Sequence, residues 1–154
     1  ATVRITATYR GVSDSDDFKV QKHDFAMLPA IVFKDPYGNA VTTPQDGQPL
    51  TMCATVHVCG GDSQNPDCGN TPLPPTVVVH YDYRSYDSYT RTSSGRSGDL
   101  TVGLDYNQYY PVCMGVGGVD AGGWLEIDLV VDPANLIAER KETNNDRSAR
   151  ITRP

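Results

Sequence analysis

The chain has 154 residues, is 38% hydrophobic and carries a formal charge of −6. That length suits one domain with a real core, or one domain plus a short extension. The acidic balance argues against nucleic acid as a partner, because phosphate binding needs a cationic surface. No stretch is long or apolar enough to cross a membrane as a helix. Fourteen glycines, eleven prolines and nine tyrosines point to many short strands joined by turns. Four cysteines, Cys53, Cys59, Cys68 and Cys113, form an even set spaced x5, x8 and x44. Zinc ligands in C-x-x-C pairs do not look like this, so two disulfides and an oxidising compartment are expected. A first residue Ala1 is compatible with a removed signal peptide. The expected location is extracellular or on the cell surface.

Residues 2–10 alternate strictly, with Val3, Ile5, Ala7 and Tyr9 against Thr2, Arg4, Thr6, Thr8 and Arg10, as a half-buried strand does. Residues 12–24 are acidic and uneven (Asp14, Asp16, Asp17, Asp24) and are expected to form a linker or long loop. Residues 27–33 are the next strand candidate, closed by the turn signal Asp35-Pro36-Tyr37-Gly38-Asn39. Asp46-Gly47 then turns the chain into residues 50–58. There Leu50, Met52, Ala54, Val56 and Val58 face one way, and Thr51, Cys53, Thr55, His57 and Cys59 the other.

Pro72, Pro74 and Pro75 lead into residues 76–84, where Val77, Val79, Tyr81 and Tyr83 alternate with Val78, His80, Asp82 and Arg84. Residues 85–98 are polar and are expected to form an edge strand and loop, followed by a short strand at 100–104. Residues 109–116 form another strand, and Gly117-Gly118 and Gly122-Gly123 frame the turn into Trp124. From Trp124, the apolar Leu125, Ile127, Leu129 and Val131 alternate with Trp124, Glu126, Asp128 and Val130. A last strand is expected at 148–153. No helical periodicity, internal repeat or heptad is visible. Seven or eight such strands make a two-sheet antiparallel sandwich the leading architecture.

Residues 132–145 read Asp-Pro-Ala-Asn-Leu-Ile-Ala-Glu-Arg-Lys-Glu-Thr-Asn-Asn. Asp and Asn side chains bond nearby backbone amides and tolerate turn dihedrals, so they suit a wide turn at a strand end. Pro133 stops the strand at Asp132. Leu136 and Ile137 are expected to tuck the loop onto the sandwich edge. The stretch resembles the close of the cell-adhesion-related domain found in bacteria (CARDB), of the form V-D-P-x-N-x-I-x-E-x-x-E-x-N-N. Asp132, Pro133, Asn135, Ile137, Glu139, Glu142, Asn144 and Asn145 carry the match.

The resemblance covers residues 25–153. It implies an immunoglobulin-like antiparallel β-sandwich of seven to eight strands, preceded at 1–24 by an N-terminal strand and the acidic linker. It also implies a bacterial surface module of a mostly non-catalytic kind. Where the family carries V-x-N-x-G, this chain has His57-Val58-Cys59-Gly60-Gly61, so the following loop departs from the family pattern. The same motif admits a calcium reading: Asp132, Asn135, Glu139 and Glu142 supply hard oxygen ligands. Their spacing is not the helix-loop-helix calcium pattern, and the structural reading is preferred; no cofactor is expected, with calcium the alternative.

In a straight strand Cys53 and Cys59 would lie roughly 20 Å apart at about 3.3 Å per residue, far beyond the ~7 Å a disulfide allows. Tyr110, Val112, Met114 and Val116 place Cys113 on the non-core face of a later strand, which an immunoglobulin-like order would set beside the Cys53 strand. Cys53–Cys113 is therefore expected as a cross-strand bridge, and Cys59–Cys68 as a clamp on the polar loop at 60–67.

Pairing of residues 76–84 with residues 124–131 would gather His80, Asp82, Arg84, Trp124, Glu126 and Asp128 into one outward patch, with Arg150 beside it. Tryptophan stacks on sugar rings and anchors protein interfaces, and flanking charges can orient a ligand. The competing reading is that the N-terminal extension or an edge loop covers Trp124. Of the tyrosines, Tyr81, Tyr83 and Tyr110 fall on core or semi-core positions, whereas Tyr86, Tyr89 and Tyr106 are candidate surface contacts.

Catalytic readings fare badly. Only His23, His57 and His80 could serve as a neutral-pH base, and none sits in a catalytic motif. Gly61-Asp62-Ser63 and Gly95-Arg96-Ser97-Gly98 fail to complete a G-x-S-x-G elbow. A cupredoxin-like set of His57, Cys113 and Met114 lacks the second histidine, and adjacent strand residues point to opposite faces.

The expectation is a secreted or cell-surface module, not an enzyme, that binds a polysaccharide or an extracellular protein. One alternative is a structural subunit of an extracellular fibre or coat, self-associating through its N-terminal strand. Another is a protease inhibitor presenting the clamped 60–67 loop.

Overall fold

The computed structural model describes residues 2–9, 12–19, 24–58, 75–104, 109–137, 139 and 142–154. Ten strands run in chain order: β1 Thr2–Tyr9, β2 Val12–Lys19, β3 Phe25–Met27, β4 Val32–Lys34, β5 Leu50–Val58, β6 Thr76–Asp87, β7 Thr92–Gly103, β8 Tyr109–Gly117, β9 Trp124–Val131 and β10 Asp146–Thr152. Eight of them, β3 to β10, build two antiparallel sheets.

In the first sheet β5 is central. It pairs with β8 along one side and with β3 and then β4 along the other. The second sheet runs β10-β9-β6-β7. This is the immunoglobulin-like sandwich that the strand pattern and the family resemblance imply.

Alternation places the core. In β9, Leu125, Ile127, Leu129 and Val131 are fully buried, beside Val77 and Val79 of the neighbouring β6 and across the core from Met52 and Val56 of the first sheet, which are equally sealed. Each such side chain contributes about 1.5–3 kcal/mol by leaving water. The edge run expected at 27–33 is broken into β3 and β4, with Pro29 between them. Proline has no N–H for the ladder, although Leu28 still donates to the Thr55 carbonyl at 2.9 Å. Pro111 lies in β8, which among the described strands pairs only with β5 and so has an edge where the missing donor is tolerated.

Three expectations change. The acidic stretch after residue 11 is not all linker. Val12–Lys19 is a strand, paired from Thr2↔Lys19 to Tyr9↔Val12 in a two-stranded sheet of its own. Aspartates are poor strand formers and mask the pattern, whereas the ladder uses only backbone groups. Secondly, residues 85–98 and 100–104 are not a loop and a short strand. β6 continues to Asp87, a turn follows, and β7 runs twelve residues to Gly103. Thirdly, Leu136 does not tuck under the sheet; it is 83% exposed, and Ile137 alone packs against the core.

Cys53 and Cys113 are directly opposed on β5 and β8 and form the expected disulfide, with a Cα separation of 4.2 Å. The expected Cys59–Cys68 clamp and the 60–67 loop lie outside the described residues, as do His23 and Tyr106.

Candidate functional site

Register turns the outer face of the second sheet into a lattice. From β10 across to β7 its rows read Thr152–Trp124–Tyr86–Ser93, Arg150–Glu126–Arg84–Gly95, Ser148–Asp128–Asp82–Ser97 and Asp146–Val130–His80–Asp99. His80, Asp82, Arg84, Trp124, Glu126 and Asp128 therefore do share one face, with Arg150 among them. The pairing of β6 with β9 brings them together, because direct cross-strand neighbours sit about 5 Å apart.

The charges on this face are linked. Arg84 Nη2 donates to Asp128 Oδ2 and lies 3.2 Å from Glu126 Oε1. The hydrogen bond to Asp128 is the main cause of a guanidinium pKa raised above its usual value. Arg150 Nη1 reaches Glu126 Oε2 at 3.8 Å, and His80 Nδ1 lies 2.7 Å from Asp99 Oδ1. Such exposed pairs add little stability; their effect is to hold side chains in place. Arg84 and Arg150 are outnumbered by Asp82, Asp99, Glu126, Asp128 and Asp146, so the face is acidic.

Trp124 is half-buried, and two neighbours flank it. The Arg150 guanidinium lies 4.2 Å from its ring centroid, and the Tyr86 ring is 6.2 Å away at an interplanar angle of 20°. An arginine stacked on tryptophan gains cation–π energy while its N–H donors stay at the ring rim. The sequence reading asked whether the N-terminal extension or an edge loop covers this ring. The groups seen packing on it are side chains of the adjacent strands.

This aromatic row stands at the sheet end where β6 turns into β7. There the Asp87 carboxylate accepts from Tyr89 N at 2.8 Å, Thr90 N at 3.2 Å and Thr90 Oγ1 at 2.7 Å. The bond from the Thr90 side chain is the largest cause of an Asp87 pKa below the ordinary carboxylate value. Tyr89, at the tip, is 93% exposed. Tyr81, Tyr83 and Tyr110 pack against the core, as their parity implies.

The 132–145 motif behaves as a turn. Asp132 and Asn135 adopt φ of 47° and 51°, the left-handed region that Asn and Asp tolerate. Asp132 accepts from Leu136 N at 3.1 Å and Ile137 N at 2.8 Å, and its own N–H donates to the Val78 carbonyl at 2.8 Å. Glu139, 3% exposed, accepts from Phe25 N and from Asn145 Nδ2, both at 2.7 Å. It thereby pins the first strand of the sandwich to the loop before the last. A cation here would compete with these amides for the Asp132 and Glu139 oxygens. Asn135 is exposed, and the Glu142 side chain lies outside the described residues. Among the described residues no three His, Cys, Asp or Glu side chains gather as a metal-holding group.

Gly95 to Gly98 lie mid-strand in β7, and Gly61 to Ser63 lie outside the described residues. Cys113 is bonded to Cys53, and His57 is buried against the Tyr109 ring, with centroids 4.3 Å apart. Among the described residues no helix is long and apolar enough to cross a membrane.

The fold and this face define an immunoglobulin-like sandwich with a decorated outer surface. No protein-family model matches the chain, and no curated protein does. Among solved structures the chain is similar to the CARDB domain of a Pyrococcus furiosus protein, which was crystallised in complex with di-metal ions. The two are 16% identical, with a TM-score of 0.48 over 88% of this chain and 96% of that one. The sandwich itself stands on the strand order and register above, and a likeness of this degree adds nothing to the site.

Proposed function

We propose that this chain is a non-catalytic, extracellular adhesion module that binds polysaccharide on the outer face of its second sheet. The observation that carries the reading is the aromatic row: Trp124 and Tyr86 directly paired, with Arg150 stacked on the indole. Aromatic rings shed water cheaply against the apolar face of a sugar, and the row is bordered by the Glu126, Asp128 and Arg84 groups that hydrogen-bond hydroxyls. The ion pairs hold these donors and acceptors in place before a ligand arrives, which lowers the entropic cost of binding.

The test is a glycan array followed by titration calorimetry on the best hit, with wild type and Trp124→Ala. Loss of about tenfold or more in affinity is expected, at the level of one interface anchor. Unchanged binding by a variant with a native circular dichroism spectrum would remove this face from the reading. A protein captured on the same face, with no glycan bound, would replace the polysaccharide by a protein partner.

A further inference from the structure

We infer that the ligand surface continues past the aromatic row into a cleft at the end of the sandwich, and that this cleft selects uncharged or cationic sugars. The inference rests on the polysaccharide reading above and names the ligand class of that same site. The cleft is lined by Asp46, Asp87, Ser88, Tyr89, Asp120 and Ala121 and has a volume of about 690 Å³, within the range of small-ligand sites.

Three chain segments that are remote in sequence build it: the turn at Asp46, the β6–β7 turn, and the turn before β9. They are tied to one another. Ser88 Oγ donates to the Ala121 carbonyl, Gly122 N donates to the Arg153 carbonyl at 2.9 Å, and Arg153 N returns to the Gly123 carbonyl at 3.1 Å. The Arg153 side chain is paired with Asp46. The cleft lies at the same end of the sheet as the aromatic row, because Asp87 follows Tyr86 at the end of β6 and Ala121 stands three residues before Trp124. The two segments meet so closely that a Cβ on Gly123 would lie 2.6 Å from the Tyr86 carbonyl oxygen.

Tyr89 is the informative residue. Its backbone is fixed by Asp87, yet its ring is 93% exposed. Standing on the lining of a cleft, it offers an aromatic face on which a sugar ring can stack. Beside it, nothing among the described residues bonds the exposed Asp120 carboxylate, which is an acceptor for sugar hydroxyls. Asp46, Asp87 and Asp120 are all carboxylates, and Arg153, the cation that reaches the lining, is already paired with Asp46. A polyuronate or sulfated chain entering here meets the like charges of Asp87 and Asp120, which no cation among the described residues pairs. A neutral or amino sugar does not.

The experiment titrates the full chain with three oligosaccharide sets: neutral β-linked glucan and xylan, cationic chitosan, and anionic alginate. Wild type, Trp124→Ala, Tyr89→Ala and Asp120→Asn are compared. The expected result is binding of a neutral or cationic chain, with alginate bound at least tenfold more weakly. Affinity should fall roughly tenfold on losing the exposed Tyr89 ring. If Trp124→Ala weakens binding while Tyr89→Ala and Asp120→Asn both leave it intact, the cleft is overturned and the outer face stands. Preference for alginate overturns the charge selection alone. Silence toward all three sets overturns the polysaccharide reading, and the cleft with it.

Discussion

The two sheets share one rule and use it for opposite ends. The central strands β5 and β9 bury alternate residues against the same core, yet the outer faces of their sheets differ. On the first sheet the outward positions hold Thr51, Thr55, Pro111, the Cys53–Cys113 bridge and His57, which is buried against Tyr109. On the second they hold charges in register and a tryptophan row. The lesson is that a strand's inward pattern fixes only where the core lies. The outward half is free to become a staple on one side and a display surface on the other.

That contrast is open to attack. The largest expected effect is on the stapled side. The double variant Cys53→Ala/Cys113→Ala should lose about 2–4 kcal/mol of stability in urea unfolding, since the bridge restrains a long loop of the unfolded chain. Its glycan affinity should not change. An unaltered unfolding midpoint would mean that the first sheet needs no staple.

A middle effect falls where display meets framework. Gly123→Ala puts a Cβ against the Tyr86 and Asp120 carbonyl oxygens, and overpacking of this kind costs about 1–3 kcal/mol. Because it parts β6 from the turn before β9, it should also weaken binding. Thermal melting together with calorimetry checks both, and normal values for the two would detach the cleft from the aromatic row.

The smallest effect belongs to the charged lattice. Arg84→Gln breaks contacts to Glu126 and Asp128, and exposed pairs like these add little to stability. Stability should barely move, while the face becomes more acidic and discriminates more strongly against anionic chains. A large drop in melting temperature would show that the second sheet depends on its surface for stability as much as the first depends on its bridge.

Legibility followed locality. The pairing of β6 with β9 and the Cys53–Cys113 bridge followed once an immunoglobulin-like strand order was assumed. The β9 core positions could be read in advance, because strict alternation is a property of neighbouring residues. Asp132 and Asn135 were legible as turn formers for the same reason. β2 was not, since Asp14, Asp16 and Asp17 suppress the apolar signal while the backbone pairs regardless. β7 was hidden because its first half, Thr92 to Ser97, is exposed on both faces and needs no apolar alternation. The exposure of Leu136 reversed the sequence reading, since it depends on what packs nearby.

By itself, the order of residues marked the strands with clean alternation and the faces they turn inward. A pleated chain repeats every two residues, and that period is written locally. Tertiary structure alone decided which outer face stays open, that Arg150 comes to rest on Trp124, and that Asp46, Ser88 and Asp120 border one cleft. Those are distances between segments far apart in the chain, set by how two sheets stack and where their loops converge, and no local pattern encodes them.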